Sequence, residues 1–235
     1  MRLFLQLQNN SSKTKKTSNF ILMPLFYQHN INDSTKLAVW HITEPEDFFL
    51  EKVIWQNGIS HPHKRLQHLA GRYLLQLLHP GFPLHLIEIS ESRKPFLGNG
   101  AFHFSISHCG DYAAVIISDT TLVGIDVELI TEKIELIKKK FLDEDEINLL
   151  SITDAQLSNA HTSLLTLLWS TKEAIFKWYG KGAVDFKKNM IIDRLFLENE
   201  QGHIEAHFIK DERIDLKINF QFFIFHALVL AWVVK

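Results

Sequence analysis

Two stretches of the chain carry residues whose chemistry can be combined. In Gly124-Ile125-Asp126-Val127-Glu128 the apolar and acidic residues alternate. On a strand this sends Asp126 and Glu128 to one face, and Ile125, Val127 and Leu129 to the other. The second stretch, Trp169 to Lys177, has helical spacing and adds Glu173, with Lys172 beside it and Lys177 one turn further on. Neighbouring carboxylates repel, and a cation between them is the usual relief. Ligands that are all oxygen, with no thiolate or imidazole, favour Mg²⁺ or Mn²⁺ over zinc. With Lys172 and Lys177 supplying positive charge from the same helix, the set describes a clamp for a pyrophosphate. A structural ion network, in which Asp126, Glu128 and Glu173 pair with lysines, accounts for the same residues equally well.

The rest of the sequence has to position that set. At 235 residues, 46% hydrophobic and 22% charged, the chain is an ordinary globular protein with ample core. A net charge of −2 gives no global pull toward nucleic acid or an anionic membrane. The single cysteine, Cys109, excludes an internal disulfide and fits a reducing cytoplasm. The longest apolar run, Phe220 to Val234, is too short to span a membrane as a helix and alternates like a strand pair. Residues 1–22 contain a polar, basic tract and read as an extension, with Met23-Pro24 opening the folded part. Residues 23–120 then form an N-terminal half and residues 121–235 a C-terminal half.

Leu37–Ile42 reads as a strand and Glu46–Trp55 as a helix. His63–Leu78 is a strong helix stopped by His79-Pro80-Gly81. Leu84–Ser90 and Phe102–Ser107 alternate as strands, and Tyr112–Ser118 with Leu122–Leu129 reads as a hairpin across Asp119–Thr121. That hairpin would put Asp126 and Glu128 on an inner strand. Ile134–Phe141 reads as a helix with a solvated Lys138-Lys139-Lys140 face, and Asp143 with Glu146 forms a capping box for the next helix. The main helix of the second half, Ala160–Tyr179, is apolar nearly all round and ends at Gly180 and Gly182. Strands at Ile191–Leu197, His203–Ile209 and Leu216–Val234 finish the chain. The fold class is α+β: two similar halves, each with a long helix and a small antiparallel sheet, and the active site between them.

The motifs also carry a resemblance. Gly124–Glu128, then Trp169–Lys177 and Gly180-Lys181-Gly182, resemble the two signatures of the 4′-phosphopantetheinyl transferase superfamily. Lys94-Pro95 and Phe104-Ser105-Ile106-Ser107-His108 match two further blocks of that family upstream, and Phe141 with Glu146 fits the segment between the signatures. The resemblance runs in order from about residue 64 to about residue 182, and the two-half layout is similar to the Sfp type, a pseudo-dimer in one chain. It implies transfer of phosphopantetheine from coenzyme A to a serine of an apo acyl or peptidyl carrier protein, with Mg²⁺, by a monomer, releasing 3′,5′-ADP. By position it makes Asp126, Glu128 and Glu173 the metal ligands, Glu173 also the base, and Lys177 a pyrophosphate contact. Ser107 and His108 would contact phosphate and nucleotide, and Lys94 would line the coenzyme A site. Lys64, Arg65 and Arg72 are the candidates for the 3′-phosphate, with a solvated face the other reading of Lys64. Arg93 stands where the family usually has glycine, and Cys109 where it often has serine.

Two other functions fit the same carboxylates: a nucleotide pyrophosphatase acting without a carrier, and a non-catalytic coenzyme A or carrier-binding module. The histidines at 61, 63, 68, 203 and 207 complete no tetrahedral set with Cys109 and read as exposed or loop residues.

Overall fold

The computed structural model describes residues 24–54, 58–153, 160–210 and 214–235. The expected extension, residues 1–22, lies outside them.

Two strands, β1 (Leu25–Asn30) and β2 (Thr35–His41), open the first half. The helix expected over Glu46–Trp55 is one short turn, α1 (Glu46–Leu50), and α2 (Pro62–Leu78) follows. The strand expected at Leu84–Ser90 begins instead as a 3-10 turn and leaves only β3 (Ile87–Ile89), which pairs with β4 (Pro95–Leu97). After β5 (His103–Cys109) and β6 (Tyr112–Ser118) the sheet is complete, antiparallel, in the order β1-β2-β6-β5. Leu69, Ala70, Leu74 and Leu75 recur at helical spacing on α2 and bury against Phe104, Ala113, Val115 and Ile117 of that sheet.

The second half starts with β7 (Val123–Leu129). A 3-10 turn and α3 (Lys138–Phe141) replace the single helix expected there, followed by α4 (Glu144–Thr153) and α5 (Ala160–Tyr179). Asp143 and Glu146 exchange backbone bonds at 2.9 and 3.0 Å, the capping box read from their spacing. The strands β8 (Met190–Glu198), β9 (Gln201–Lys210), β10 (Ile214–Ile224) and β11 (Leu228–Val234) complete an antiparallel sheet in the order β7-β11-β10-β9-β8. The apolar run Phe220–Val234 is thus the β10–β11 hairpin. Among the described residues no helix is long and apolar enough to cross a membrane.

The hairpin expected between β6 and β7 does not form. The Ser118 hydroxyl accepts from the N–H groups of Thr120 and Thr121 at 3.3 and 3.2 Å, and this turn carries the chain out of the first sheet into the second. The reason is visible in composition: β6 is apolar on both faces and β7 on the face of Val123, Ile125 and Val127, so the two strands need a shared apolar layer between sheets. Leu37, Val39, Ala114 and Ile116 of the first sheet meet Val123, Ile125, Val127 and Leu230 of the second in a shared core. The layers therefore run α2, first sheet, second sheet, α5.

β7 is an edge strand, not an inner one, but its outer edge is covered. Ser105 Oγ, Ser107 Oγ and Cys109 Sγ accept from the N–H groups of Ile125, Val127 and Leu129 at 3.3, 3.3 and 3.4 Å. Side chains of β5 do there what a neighbouring strand would otherwise do. On its other side β7 lies close under α5. A Cβ on Gly124 would fall 2.2 Å from the Ala174 carbonyl oxygen and 2.8 Å from Trp178 Cβ. Glycine is required at 124 because the helix backbone occupies the space. Gly124→Ala is expected to lower stability by at least about 2 kcal/mol, read as a shifted urea midpoint at unchanged slope.

Candidate active site

Asp126 sits in the middle of β7, 1% exposed, held in register opposite Ala231 of β11. Its Oδ1 accepts from Ser107 Oγ at 2.8 Å and from Lys177 Nζ at 2.5 Å, and the Lys177 ammonium also bonds Ser107 Oγ at 2.8 Å. Asp126 Oδ2 is buried without a partner. A buried carboxylate with one oxygen unsatisfied marks a position that calls for another positive group.

Glu128, two residues on, shares the face. Its Oε1 accepts from Trp169 Nε1 at 3.2 Å, and burial followed by the charge of Asp126 pushes its carboxyl above the ordinary range. Glu173 is pushed up to about 7, first by burial, then by Asp126, with Lys177 pulling the other way. Trp169, Glu173 and Lys177 stand at intervals of four along α5, so one stripe of the helix faces the strand that carries Asp126 and Glu128. Among the described residues no three His, Cys, Asp or Glu side chains are drawn into a ready-made metal cage. The arrangement is an open carboxylate face with a lysine seated on it.

Lys172 does not belong to this face. It is fully buried, and its ammonium donates to the carbonyls of Phe141 and Phe186 at 2.6 and 2.9 Å and to Glu146 at 2.7 Å. Five residues along a helix turn a side chain well away, so Lys172 cannot share the direction of Lys177. Its assignment as a coenzyme contact is therefore corrected. It clamps the segments that carry Phe141 and Phe186. Those two rings enclose Trp169, at 5.1 Å edge-on and 5.5 Å stacked, and Trp169 in turn holds Glu128. An open cavity of about 440 Å³ lies along this wall, lined by Ile137, Lys140, Phe141, Trp169, Asp185 and Phe186. Of the lysine run, Lys138 pairs with Glu135 at 2.7 Å while Lys139 and Lys140 are exposed.

The first half supplies a basic face. Lys64, His68 and Arg72 also stand at intervals of four, along α2. The His68 ring lies 5.2 Å from that of His108 on β5. His68 is pushed down to about 4 by burial and then by the charges of His108, Arg72 and Lys64. His108 is lowered mainly by burial, with Lys177 and Lys64 acting in the same direction. These groups lie close enough to feel one another, and an anion among them would relieve the repulsion. His68 is accordingly neither exposed nor on a loop, and the four-residue spacing from Lys64 to Arg72 is the signal that picks it out. His61 and His63 are exposed, as expected, but His203 and His207 are half-buried on β9. Arg65 points elsewhere: its guanidinium forks onto Glu46 at 2.7 and 2.9 Å and bonds the Ile59 carbonyl, which ties α1 to α2. Ser107 and His108 project from opposite faces of β5, Ser107 toward Asp126 and His108 toward α2.

Lys94 reaches across from the β3–β4 turn to the end of α5. Its ammonium donates to the Trp178 carbonyl at 3.4 Å, Ser92 Oγ donates to the Gly180 carbonyl at 2.6 Å, and burial pushes Lys94 down to about 8. A cation at a helix C-terminus is favourably placed. Arg93 has φ 65°, so this turn does adopt the left-handed backbone for which glycine is the usual residue.

The candidate site is thus a carboxylate strand and a helix bearing Trp, Glu and Lys at four-residue spacing, with a basic helix on the other half. Residues 122–233 of the chain match the model of the 4′-phosphopantetheinyl transferase superfamily. Among its relatives, the 4′-phosphopantetheinyl transferase gsp of Aneurinibacillus migulanus is 34% identical over 114 residues, 48% of this chain and 46% of the relative. The 4′-phosphopantetheinyl transferase psf-1 of Bacillus pumilus is 38% identical over 123 residues, 48% of this chain and 50% of the relative. These two support the Sfp type. The 4′-phosphopantetheinyl transferase AcpT of Escherichia coli (strain K12) is 32% identical over 124 residues, covering 51% of this chain and 60% of the relative. The chain spans about half the length of the first two relatives it matches.

Proposed function

We propose that the protein transfers the 4′-phosphopantetheine group of coenzyme A to a serine of an apo acyl or peptidyl carrier protein, releasing 3′,5′-ADP. The observation that carries this reading is the meeting of two unlike surfaces: the carboxylates Asp126, Glu128 and Glu173, and the basic set Lys64, His68, Arg72 and His108, with Lys177 between them. Coenzyme A needs both, since its 3′-phosphate and pyrophosphate are anions and its reacting phosphorus must be approached by a deprotonated hydroxyl. The chain reads as a pseudo-duplication, 23–120 and 121–235, acting as a monomer in the cytoplasm.

The residues present suit Mg²⁺. The orphaned Asp126 Oδ2 lies buried beside two further carboxylates, and Mg²⁺ commonly takes a few protein oxygens together with substrate phosphates rather than a closed cage. Asp126, Glu128 and Glu173 would hold it, and when bound it would polarise the phosphoryl oxygens and stabilise the charge on the leaving 3′,5′-ADP. Glu173, ionised, takes the proton of the carrier serine as its oxygen bonds to the β-phosphorus and the bond to the departing 3′,5′-ADP oxygen breaks. Lys177 stabilises charge on the pyrophosphate, and the α2 stripe with His108 holds the 3′-phosphate. Lys94 borders the same cleft from the β3–β4 turn. The open cavity beside Trp169, walled by Ile137, Phe141 and Phe186 with Lys140 and Asp185 among its lining, suits the pantetheine arm.

The test is mass spectrometry of apo carrier proteins incubated with the enzyme, coenzyme A and Mg²⁺. The phosphopantetheine mass increment is expected, lost on chelation with EDTA and restored by Mg²⁺. Nucleotide turnover without a carrier would favour a pyrophosphatase. Thermal stabilisation by coenzyme A with no reaction on a panel of carriers would favour a binding module.

A further inference from the structure

We infer that the Lys177 ammonium is the resident counter-ion of Asp126 and that the pyrophosphate of coenzyme A draws it off, so that coenzyme and divalent cation bind cooperatively. The pyrophosphate part of this statement rests on the transferase reading. The Asp126 side chain is 2% exposed and fixed in a paired strand, so its charge is tolerated only beside a cation. Lys177, on Asp126 Oδ1 at 2.5 Å, is the cation that serves.

The two partners differ in freedom. The Lys177 side chain is 23% exposed and leaves the last turn of α5 next to Gly180, so it can swing on its own rotatable bonds with the helix unmoved. Ser107 remains to hold Asp126 in place through its 2.8 Å bond to Oδ1. A divalent ion on Asp126 and an ammonium on the same carboxylate repel each other in a buried setting, so the free protein resists the cation. Lys64 on α2, whose charge reaches the same region, adds to that resistance, while the carboxylates of Glu128 and Glu173 oppose it. A pyrophosphate gives Lys177 a stronger anion to move to and brings its own oxygens to the cation. Each ligand thus removes the obstacle to the other, and the coupling is reciprocal.

The experiment is Mn²⁺ binding to the metal-stripped protein, followed by the free-ion electron paramagnetic resonance signal and by calorimetry, without turnover. Lys177→Met is expected to bind Mn²⁺ more tightly than wild type in the absence of coenzyme, while Lys177→Arg, which keeps the charge, stays weak. In the unmodified protein, coenzyme A is expected to raise Mn²⁺ affinity within the range of about 5–150-fold typical of coupled sites. Mn²⁺ is expected to raise coenzyme A affinity by the same factor. Unchanged or weaker Mn²⁺ binding in Lys177→Met overturns the inference, and so does equal Mn²⁺ affinity with and without coenzyme A in wild type. Asp126→Asn separates the two levels. If it makes no difference to Mn²⁺ binding, the cation site itself is wrong and the proposed chemistry falls with it. If it abolishes binding while Lys177→Met changes nothing, only the counter-ion exchange fails.

Discussion

Lys172→Met is expected to cost about 3–5 kcal/mol of stability, although it removes no group from the carboxylate face. The ammonium is fully buried against Glu146 and two carbonyls, and methionine fills the space while leaving Glu146 charged with no counter-ion. Chemical denaturation would measure the loss. Glu146→Gln in the same chain is expected to recover part of it by removing the unpaired charge, although its single amide oxygen can accept from only one of the Asp143 and Ile192 N–H groups, which donate to separate carboxylate oxygens. A second effect follows from the wall that Lys172 clamps. With Phe141 and Phe186 loosened, Trp169 no longer fixes Glu128, so the refolded variant should also show altered tryptophan fluorescence. A midpoint within error of wild type would show that Lys172 is not the clamp described.

Glu173→Gln is the complementary case, expected to abolish activity yet leave a sturdier protein. Loss of a general base slows a reaction by about 10²–10⁴-fold, and the labelled-carrier assay should fall by at least that much. For stability the sign runs the other way. Burial, and then the charge of Asp126, hold the Glu173 carboxyl up at about 7 in the fold, against an ordinary value of 4.5. Between those values the native state keeps a proton that the unfolded chain has lost, so its stability declines as pH rises through this window and levels off above it. The glutamine variant escapes the decline. In EDTA its advantage over wild type should be small near pH 4.5, grow toward pH 7 and then stay constant. Comparing the two proteins matters, because His68, depressed to about 4, contributes the opposite slope over part of the same range. An advantage that did not change with pH would rule out the buried-carboxylate account of Glu173.

How much of this was legible beforehand varies with the kind of interaction. Alternation on β7 and the four-residue interval on α5 are local properties, and they located Asp126, Glu128, Glu173 and Lys177 on facing elements. The capping box at Asp143 was legible for the same reason. Lys172 departs from its expected place because neighbours in sequence look equivalent until helical phase is combined with burial, and its burial depends on Glu146, distant in the chain. The β6–β7 hairpin failed similarly. Two adjacent apolar strands joined by a short polar turn satisfy the local rule for a hairpin, and only the existence of a second sheet separates them. His68 was legible in principle, as the middle member of the Lys64–Arg72 stripe, but its significance comes from a ring on β5.

The side-chain seal on β7 has a consequence for how the protein behaves in a crowded solution. An uncovered edge strand offers its N–H groups to any passing strand and is a common start of self-association. Here Ser105, Ser107 and Cys109 occupy those donors with short side chains that cannot themselves template a further strand. Ser107 thus works in two trades, holding Asp126 for chemistry and closing the edge against aggregation. Ser105, whose hydroxyl accepts from the Ile125 N–H, is the position at which the edge seal can be tested apart from the carboxylate site.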